Sequence, residues 1–272
     1  MKELSIAELK QLQLEILLVI DEFCRKNRIE YFLDFGSALG AVRHGGYIPW
    51  DDDIDIGMTR SNYERFVHSF NGYKNHLQLF APELDLDYYA TYANVCDKRT
   101  LLNEGANGHR GFEMGVKIDV FPIDGTSSNM KLCLQQHKFL RIIINIMSRK
   151  RRIMSDVWKV DKIKFCTCLI VRIFTFFVSY RNMQRLVRYI ALKHSFENSK
   201  YAGDIVNPAY SKPAICCREV FEECVDILFE GNNVRILKRY DDYLKAIYGD
   251  YMQLPPESER VGHHGFTAYW KD

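Results

Sequence analysis

Residues 47–58 read YIPWDDDIDIGM, in which an aromatic–proline turn leads into four aspartates within five positions. A run of charges is usually a solvated loop, but these acids come to alternate with isoleucines. In an extended chain successive side chains point to opposite faces, so Ile54 and Ile56 share one face while Asp53 and Asp55 share the other. The pattern predicts a half-buried strand with a carboxylate face, which is a favourable place for a cation.

A second strand is predicted from GVKIDVFPIDG, residues 115–125. Its first apolar residues face one way, whereas Lys117 and Asp119 face the other. Two carboxylates about 4 Å apart repel by about 4 kcal/mol at an effective dielectric constant of about 20. Three of them beside an apolar sheet either take up protons or need a divalent cation. The two strands together predict a site for one or two Mg²⁺ or Mn²⁺ ions on Asp53, Asp55 and Asp119.

A Gly-Ser pair, Gly36 and Ser37, lies upstream of the acidic strand. It ends a strand-like run, Tyr31–Phe35, and precedes a predicted helical turn, Ala38–Val42. Glycine and serine at a strand-to-helix turn let backbone N–H groups and a hydroxyl approach a phosphate closely. We therefore expect a phosphate-binding turn next to the metal site.

The composition is that of a globular protein with balanced charge. The 272 residues hold 37 Lys and Arg against 35 Asp and Glu, which does not indicate a nucleic-acid-binding surface. None of the eight cysteines forms a C-x-x-C pair, so a zinc ribbon or a thioredoxin-like pair is not expected. Reduced thiols and a cytoplasmic location are predicted, with Cys166 and Cys168 as core thiols.

The first segment is predicted to be an amphipathic helix and not a signal peptide. Glutamates interrupt the region that would have to be apolar. Ser5 and Glu8 have the spacing of a capping box, and the apolar residues that follow keep helical spacing.

One apolar segment, Phe165–Tyr180, has 16 residues with Arg172 in the middle. A spanning helix needs about 20 apolar residues, so we predict a buried or interfacial helix. The basic run just upstream, Arg149–Arg152, has two interpretations. It touches anionic lipid headgroups, or it is a solvated helix end, and the second is the more usual.

The order of elements predicts an α+β fold, with a catalytic half and a helical to mixed half in a single domain, residues 1–272. The first half, about residues 1–128, carries the strands and the acids. The second, residues 129–272, begins helical and basic and then mixes short strands with a helix near Leu237–Ile247.

The longest distinctive string is FGSALGAVRHGGYIPWDDDIDIGMTRSNYERF, followed later by KIDVFPIDG, FEG, YDDYLKAIYGDYMQLPP and a histidine pair, His263–His264. Together these closely resemble the LicD family of phosphocholine transferases, to which fukutin-related proteins are also similar, within the nucleotidyltransferase superfamily. The resemblance runs from about Leu12 to His264 and is looser across residues 130–201.

The resemblance implies a nucleotidyltransferase-like mixed sheet flanked by helices. It also implies a CDP-activated donor such as CDP-choline. The acceptor would be a hydroxyl of a cell-surface glycan precursor, lipid-linked or not, as in lipopolysaccharide or teichoic acid. Asp53, Asp55 and Asp119 match the metal-binding and catalytic acids, and Gly36 and Ser37 match the donor-phosphate turn.

Further residues are assigned by charge and placement and not by motif identity. Arg43 and Lys117 are expected to face phosphate. Asp51 is expected to orient the metal-binding side chains without itself binding the ion. Asp52 is expected to cap or hydrogen-bond a loop. His44 and Trp50 are substrate candidates, and Trp50 could form an aromatic box for a quaternary ammonium, although ordinary packing explains most aromatic residues. The box would also use three tyrosines, Tyr88, Tyr89 and Tyr92.

Alternative functions stay open. Another CDP-alcohol, such as that of ribitol, glycerol or ethanolamine, would suit the same site. A nucleotidyltransferase would use an NTP and release pyrophosphate, and a non-enzyme alternative is a degenerate glycan-binding protein. No nucleic-acid partner is expected. The predicted setting is the cytoplasmic face of the membrane, with peripheral membrane contact as a further expectation.

Overall fold

The computed structural model describes residues 1–103, 111–207, 214–260, 262 and 266–271. His263 and His264 lie outside the described residues. The helices, in chain order, are α1 (Ile6–Asn27), α2 (Phe35–His44), α3 (Arg60–Ser69), α4 (Met130–Arg151), α5 (Met154–Val160), α6 (Lys162–Phe174), α7 (Tyr180–Ala191) and α8 (Tyr240–Tyr248). The strands are β1 (Lys2–Glu3), β2 (Phe32–Leu33), β3 (Asp55–Thr59), β4 (Leu77–Phe80), β5 (Ala93–Asp97), β6 (Thr100–Asn103), β7 (Lys117–Gly125), β8 (Tyr201–Asp204), β9 (Ala214–Cys217), β10 (Cys224–Phe229), β11 (Asn232–Leu237) and β12 (Thr267–Trp270). This mixture confirms the α+β class.

Helix α1 begins with the predicted capping box. The Ser5 hydroxyl accepts a hydrogen bond from the Glu8 N–H at 3.2 Å, and the Glu8 carboxylate accepts one from the Ser5 N–H at 2.8 Å. Two otherwise unsatisfied backbone donors are thus paired. The apolar face of α1, including Ile16 and Ile20, is buried in the main core.

The central sheet has the strand order β2-β3-β7-β5-β4, and β8 and β9 extend it from the end of β7. β3 and β7 run parallel, whereas the other neighbours in this sheet are antiparallel. The predicted alternation in β7 is confirmed, since Val116, Ile118 and Val120 are buried while Lys117 and Asp119 are only partly so.

The strand predicted over Tyr31–Phe35 is shorter than expected. Only Phe32 and Leu33 pair as a strand, and α2 already begins at Phe35. The reason is Asp34, whose carboxylate accepts a hydrogen bond from the Phe35 N–H at 2.8 Å and so caps the helix. Gly36 and Ser37 therefore lie in the first turn of α2, and the helical turn predicted for Ala38–Val42 is part of a longer helix.

The acidic strand also begins later than the alternation suggests. β3 starts at Asp55, so the acids at positions 51–53 precede it in an irregular segment. Ile54 and Ile56 are buried as predicted. The apolar face of the segment thus decides its burial even where strand pairing has not yet begun.

The segment Phe165–Tyr180 is neither one helix nor buried. It comprises most of α6, a loop, and the first residue of α7. Its large apolar side chains are mostly exposed, as is Cys166, which corrects the prediction of a core thiol, whereas Cys168 is buried. Among the described residues, no helix is both long enough and apolar enough to cross a membrane.

The basic run Arg149–Arg152 ties the helical segment together. The Lys150 ammonium donates to the Thr175 carbonyl at 2.5 Å and to the Val178 carbonyl at 2.6 Å. Arg151 pairs with Asp87 at 2.9 Å. These contacts hold both half-buried side chains against the protein, so the run is not simply a solvated helix end. The lipid contact stays a prediction.

Hydrogen bonding crosses the division expected near residue 128. β8 pairs with the end of β7 through Asp124↔Gly203, and the main core contains side chains from both sides of the division. A smaller sheet, β1-β12-β6, joins the first strand to the last. The two predicted halves therefore share one core, within the described part of the chain.

Candidate active site

The register of β3 and β7 brings two of the predicted acids together. Asp55 and Asp119 are paired across the two parallel strands, and the Asp119 N–H donates to the Ile54 carbonyl at 3.3 Å. Residues paired in this way point to the same face of a sheet. Both carboxyl groups are therefore directed to the same side of the sheet, where Asp55 and Asp119 are partly buried.

The third acid, Asp53, lies beside the same edge. It lines a small cavity of ≈ 70 Å³ together with Lys117 and Asp119. The other walls come from α1, β6 and the residue before β12, namely Leu9, Gln13, Ile54, Leu102, Val116 and Phe266. The structure thus brings Asp53 and Asp119, which lie 66 positions apart in the chain, to the wall of one cavity.

Asp119 is held by two donors. The Lys117 ammonium donates to its Oδ1 at 2.8 Å, and the side-chain amide of Asn94 donates to the same oxygen. The Asn94 carbonyl oxygen in turn accepts from the Tyr88 hydroxyl. Asn94 was not predicted from the sequence, because only its pairing with Asp119 across β5 and β7 identifies it.

Burial and mutual repulsion act together on Asp55. Burial raises the pKa of the Asp55 carboxyl well above its usual range, and the neighbouring carboxylates of Asp53 and Asp119 raise it further. This is the electrostatic situation that a bound cation relieves. Three carboxylates are also a donor set that suits Mg²⁺ or Mn²⁺. In the described part of the chain, however, no three His, Cys, Asp or Glu side chains are already arranged as a closed metal cluster.

Ser37 connects α2 to the acidic edge, by which we mean the end of the sheet at which Asp53, Asp55 and Asp119 lie. Its hydroxyl oxygen accepts a hydrogen bond from the Asp55 N–H at 2.9 Å, and Ser37 is buried. The helix therefore fixes the point at which β3 begins. Ser37 lies next to the acids as the prediction of a donor-phosphate turn requires.

Gly36 allows Asp51 to approach the first turn of α2. A Cβ atom at position 36 would lie 2.7 Å from the Asp51 Oδ2, so a larger side chain would displace that carboxylate. A negative group near a helix N-terminus is stabilised by the helix dipole. Asp52 follows in the same loop, where its backbone carbonyl accepts from the side-chain amide of Gln13 in α1 at 3.0 Å. The loop contact expected of the Asp52 side chain stays a prediction.

Arg43 and Trp50 line a second, larger cavity of ≈ 770 Å³, and His44 contacts both of them. The Arg43 guanidinium donates to the Tyr251 carbonyl at 2.9 Å and to the His44 Nε2 at 3.0 Å. The Trp50 ring packs edge-on to His44 at 6.2 Å, and the Arg260 guanidinium lies 5.7 Å from its centre. Their roles toward phosphate or substrate stay predictions.

The aromatic residues proposed for a choline box do not form one cluster: the three tyrosines lie on the side of Asp119, and Trp50 lies beside His44. Tyr88 and Tyr89 contact each other at 4.8 Å, and Tyr92 packs on Phe121 at 4.5 Å. Burial raises the pKa of Tyr88 and of Tyr92 well above the usual range, and the negative charge of Asp119 raises both pKa values further. Trp50 packs in the group around His44, so tyrosines rather than the tryptophan accompany Asp119.

The amino-acid sequence is similar to one protein family and to several known proteins. Residues 28–147 match the family described as LicD/FKTN/FKRP, nucleotidyltransferase domain. The lipopolysaccharide cholinephosphotransferase LicD of Haemophilus influenzae is 29% identical over 275 residues, covering 99% of each chain. An uncharacterised protein of Rickettsia typhi is 35% identical over 143 residues, or 51% of this chain and 43% of that protein. The human ribitol 5-phosphate transferase FKRP is 57% identical over 30 residues, 11% of this chain and 6% of that protein.

Proposed function

Because the chain belongs to the LicD family, we propose that it transfers phosphocholine from CDP-choline to a hydroxyl of a cell-surface glycan precursor and releases CMP. The likeness to LicD of Haemophilus influenzae extends over 99% of both chains, which supports the same class of enzyme, a transferase of phosphorylated alcohols. The nucleotidyltransferase-like fold implied by the family is part of this proposal.

The observation that carries the proposal is the pairing of Asp55 with Asp119 across β3 and β7. It sets two carboxylates on one face of the sheet, and Asp53 lines a cavity that Asp119 also lines. A binding protein has no need to keep repelling acids together, whereas phosphoryl transfer needs a cation at this kind of place. The arrangement therefore supports an enzyme over a degenerate glycan-binding protein.

We assign Asp53, Asp55 and Asp119 as the groups that would hold Mg²⁺ or Mn²⁺. When bound, such an ion neutralises phosphate oxygens and steadies the attacking and leaving oxygens of an in-line displacement. The chain's own residues do the remaining work. Ser37 fixes the start of β3 through its bond to the Asp55 N–H, and Lys117 places a positive charge beside Asp119.

In the proposed reaction the acceptor oxygen forms a bond to the phosphorus that carries choline, and the bond from that phosphorus to the CMP oxygen breaks. The hydroxyl proton passes to a carboxylate oxygen of Asp119. Both Lys117 and Asn94 donate to Oδ1, so Oδ2 is the oxygen that we assign to this proton. An acid positioned in this way contributes general-base catalysis.

A second candidate is transfer of ribitol phosphate from CDP-ribitol. The local identity of 57% to ribitol 5-phosphate transferases favours it, but that likeness covers only 30 residues. Donors carrying glycerol or ethanolamine suit the same chemistry. An NTP-using nucleotidyltransferase is the more distant alternative, since it would release pyrophosphate.

The test is incubation of the full chain with a panel of CDP-alcohols, a glycan acceptor and Mg²⁺ or Mn²⁺. We expect CMP release that is largest with CDP-choline and is lost when the metal is chelated. The Asp53→Asn variant should lose at least about 100-fold in rate while keeping its thermal melting temperature. The matched control is Asp226→Asn, a half-exposed acid paired with Arg25 and Arg235, which should retain activity.

Two results would count against this assignment. Release of pyrophosphate from NTPs instead of CMP would favour the nucleotidyltransferase alternative. Full turnover by Asp53→Asn would remove that carboxylate from the chemistry. Calorimetric titration with Mn²⁺ separates the cases further, because unchanged binding by Asp53→Asn would exclude it as a metal ligand.

A further inference from the structure

Helix α6 exposes its apolar side chains instead of burying them. The side chain of Ile163, in the first turn of α6, is 79% exposed, and that of Phe174, at its end, is 83% exposed. In the loop that follows, Phe177 is 96% exposed. We name the exposed apolar side chains of α6 and of the following loop the apolar cap. Its main members are Ile163, Leu169, Ile170, Ile173, Phe174 and Phe177.

The orientation of the apolar cap follows from contacts on the other side of the segment. The Arg172 guanidinium donates to the Arg152 carbonyl at 2.6 Å, and Lys150 holds the carbonyls of Thr175 and Val178. Cys168 faces inward and is buried. Because polar bonds anchor the inner side of α6, the apolar side has to face outward.

A single exposed apolar residue needs no explanation, but a contiguous group of this kind marks an interaction surface. The cap continues onto α5, where Trp158 and Val160 are also exposed. Trp158 contacts Phe165 with ring centres 4.9 Å apart. The result is an apolar helix face that ends in an aromatic loop.

The charge around the cap is strongly positive. Residues 130–193 hold 15 Lys and Arg against 2 Asp and Glu, while the whole chain holds 37 against 35. Lys159 is 75% exposed, and the Lys162 ammonium lies 5.6 Å from the centre of the Trp158 ring. Arg181 follows at the start of α7, where it shares Asp87 with Arg151.

We propose that the apolar cap inserts into the interface of a lipid bilayer that carries anionic lipids. An interfacial helix combines Phe, Trp and Leu or Ile on one face with Lys and Arg beside them, and it lies in the plane of the membrane. Exposed basic side chains at its rim bind anionic headgroups. A second copy of this chain is a poorer occupant, because two such basic regions would repel each other.

The position of the cap relative to the acids fits this role. Leu102 lines the cavity beside Asp119 and also a hollow of ≈ 570 Å³ whose wall includes Ile153. Ile153 directly precedes α5. A membrane-bound acceptor could thus reach the acidic edge along this side, although docking of the cap does not depend on the donor or on the reaction.

The experiment is sedimentation of the full chain with vesicles of phosphatidylcholine, with and without phosphatidylglycerol. We expect binding that needs phosphatidylglycerol and weakens as salt is added. The double variant Phe174→Ser/Phe177→Ser should lose binding at least about tenfold. The double variant Lys159→Glu/Lys162→Glu should lose at least about fivefold in vesicle affinity for each of the two lysines replaced.

The matched controls are Leu228→Ser and Lys238→Glu, which change an exposed leucine of β10 and an exposed lysine after β11. Both should bind vesicles like the unmodified chain. Light scattering without lipid is measured on the same proteins. No vesicle binding by the unmodified chain, or equal binding by Phe174→Ser/Phe177→Ser, would overturn the proposal. A dimer that this variant dissociates would instead make the cap an interface between copies of the chain.

Discussion

At the scale of single residues, α2 and the acidic edge are joined by two neighbouring positions. The Ser37 hydroxyl accepts from the Asp55 N–H, and the missing side chain of Gly36 leaves room for Asp51. A Gly-Ser pair is therefore needed here for geometry as well as for any phosphate contact. The sequence alone indicates only the phosphate contact.

Asp34 gives a prediction about pH. Burial raises the pKa of the Asp34 carboxyl to about 7, although hydrogen bonds from the Tyr243 hydroxyl and the Phe35 N–H oppose the rise. The folded chain thus keeps a proton that the unfolded chain loses near pH 4. Stability from this group is full below that pH, falls by about 1.4 kcal/mol per pH unit as pH rises toward about 7, and then levels off.

We expect Asp34→Asn to remove this contribution. The free energy of unfolding of the variant minus that of the unmodified chain should increase by roughly 2–3 kcal/mol from pH 5 to pH 8. Denaturant unfolding at the two pH values measures it. The control is Asp161→Asn, which also replaces a helix-capping aspartate but an exposed one. Equal pH dependence in Asp34→Asn and the unmodified chain would contradict the assignment.

At the scale of elements, the start of α3 is fixed to the end of β7 by a buried ion pair. The Arg60 guanidinium makes two bonds of 2.7 Å to the Asp124 carboxylate and one of 3.2 Å to Glu83. The Tyr63 hydroxyl donates to the second Glu83 oxygen at 3.0 Å. Burial raises the pKa of Asp124, and the Arg60 charge and hydrogen bonds oppose that rise.

Replacing Arg60 by methionine should therefore be costly. Arg60→Met leaves the buried Asp124 carboxyl group without its cation and Glu83 with Arg188 at 3.9 Å. Removal of one partner from a buried pair typically costs about 3–5 kcal/mol. Thermal and urea unfolding measure the loss. Arg185→Met, an exposed arginine on α7, should change stability by less than about 0.5 kcal/mol. A similar small change for Arg60→Met would show that the ion pair contributes little.

At the scale of the whole molecule, β12 joins the two ends of the described chain. It pairs with β1 through Lys2↔Trp270 and with β6 through Thr267↔Asn103, and the Leu4 N–H donates to the Ala268 carbonyl at 2.8 Å. Phe266, just before β12, is a wall of the cavity at the acids. Closure of the small sheet and closure of the site thus depend on the same strand.

Deleting residues 266–272 tests this dependence. We expect a lower melting temperature and faster amide hydrogen exchange in β1 and β6, because both strands lose their central partner. Mass spectrometry of the exchanged peptides measures the change. The β10–β11 hairpin, which among the described strands pairs only within itself, serves as the internal control. Unchanged exchange in β6 would mean that β12 does not protect it.

The sequence by itself determined the acids, their polar faces and the amphipathic first helix, because these depend on alternation and on helical spacing along the chain. Only the tertiary structure decided the direct pairing of Asp55 with Asp119, the donors Asn94 and Lys117, and the exposure of the apolar cap. An apolar run has the same letters whether it faces the core or the solvent. Which of the two occurs depends on the contacts of its other side, and residues far apart in the chain supply those contacts.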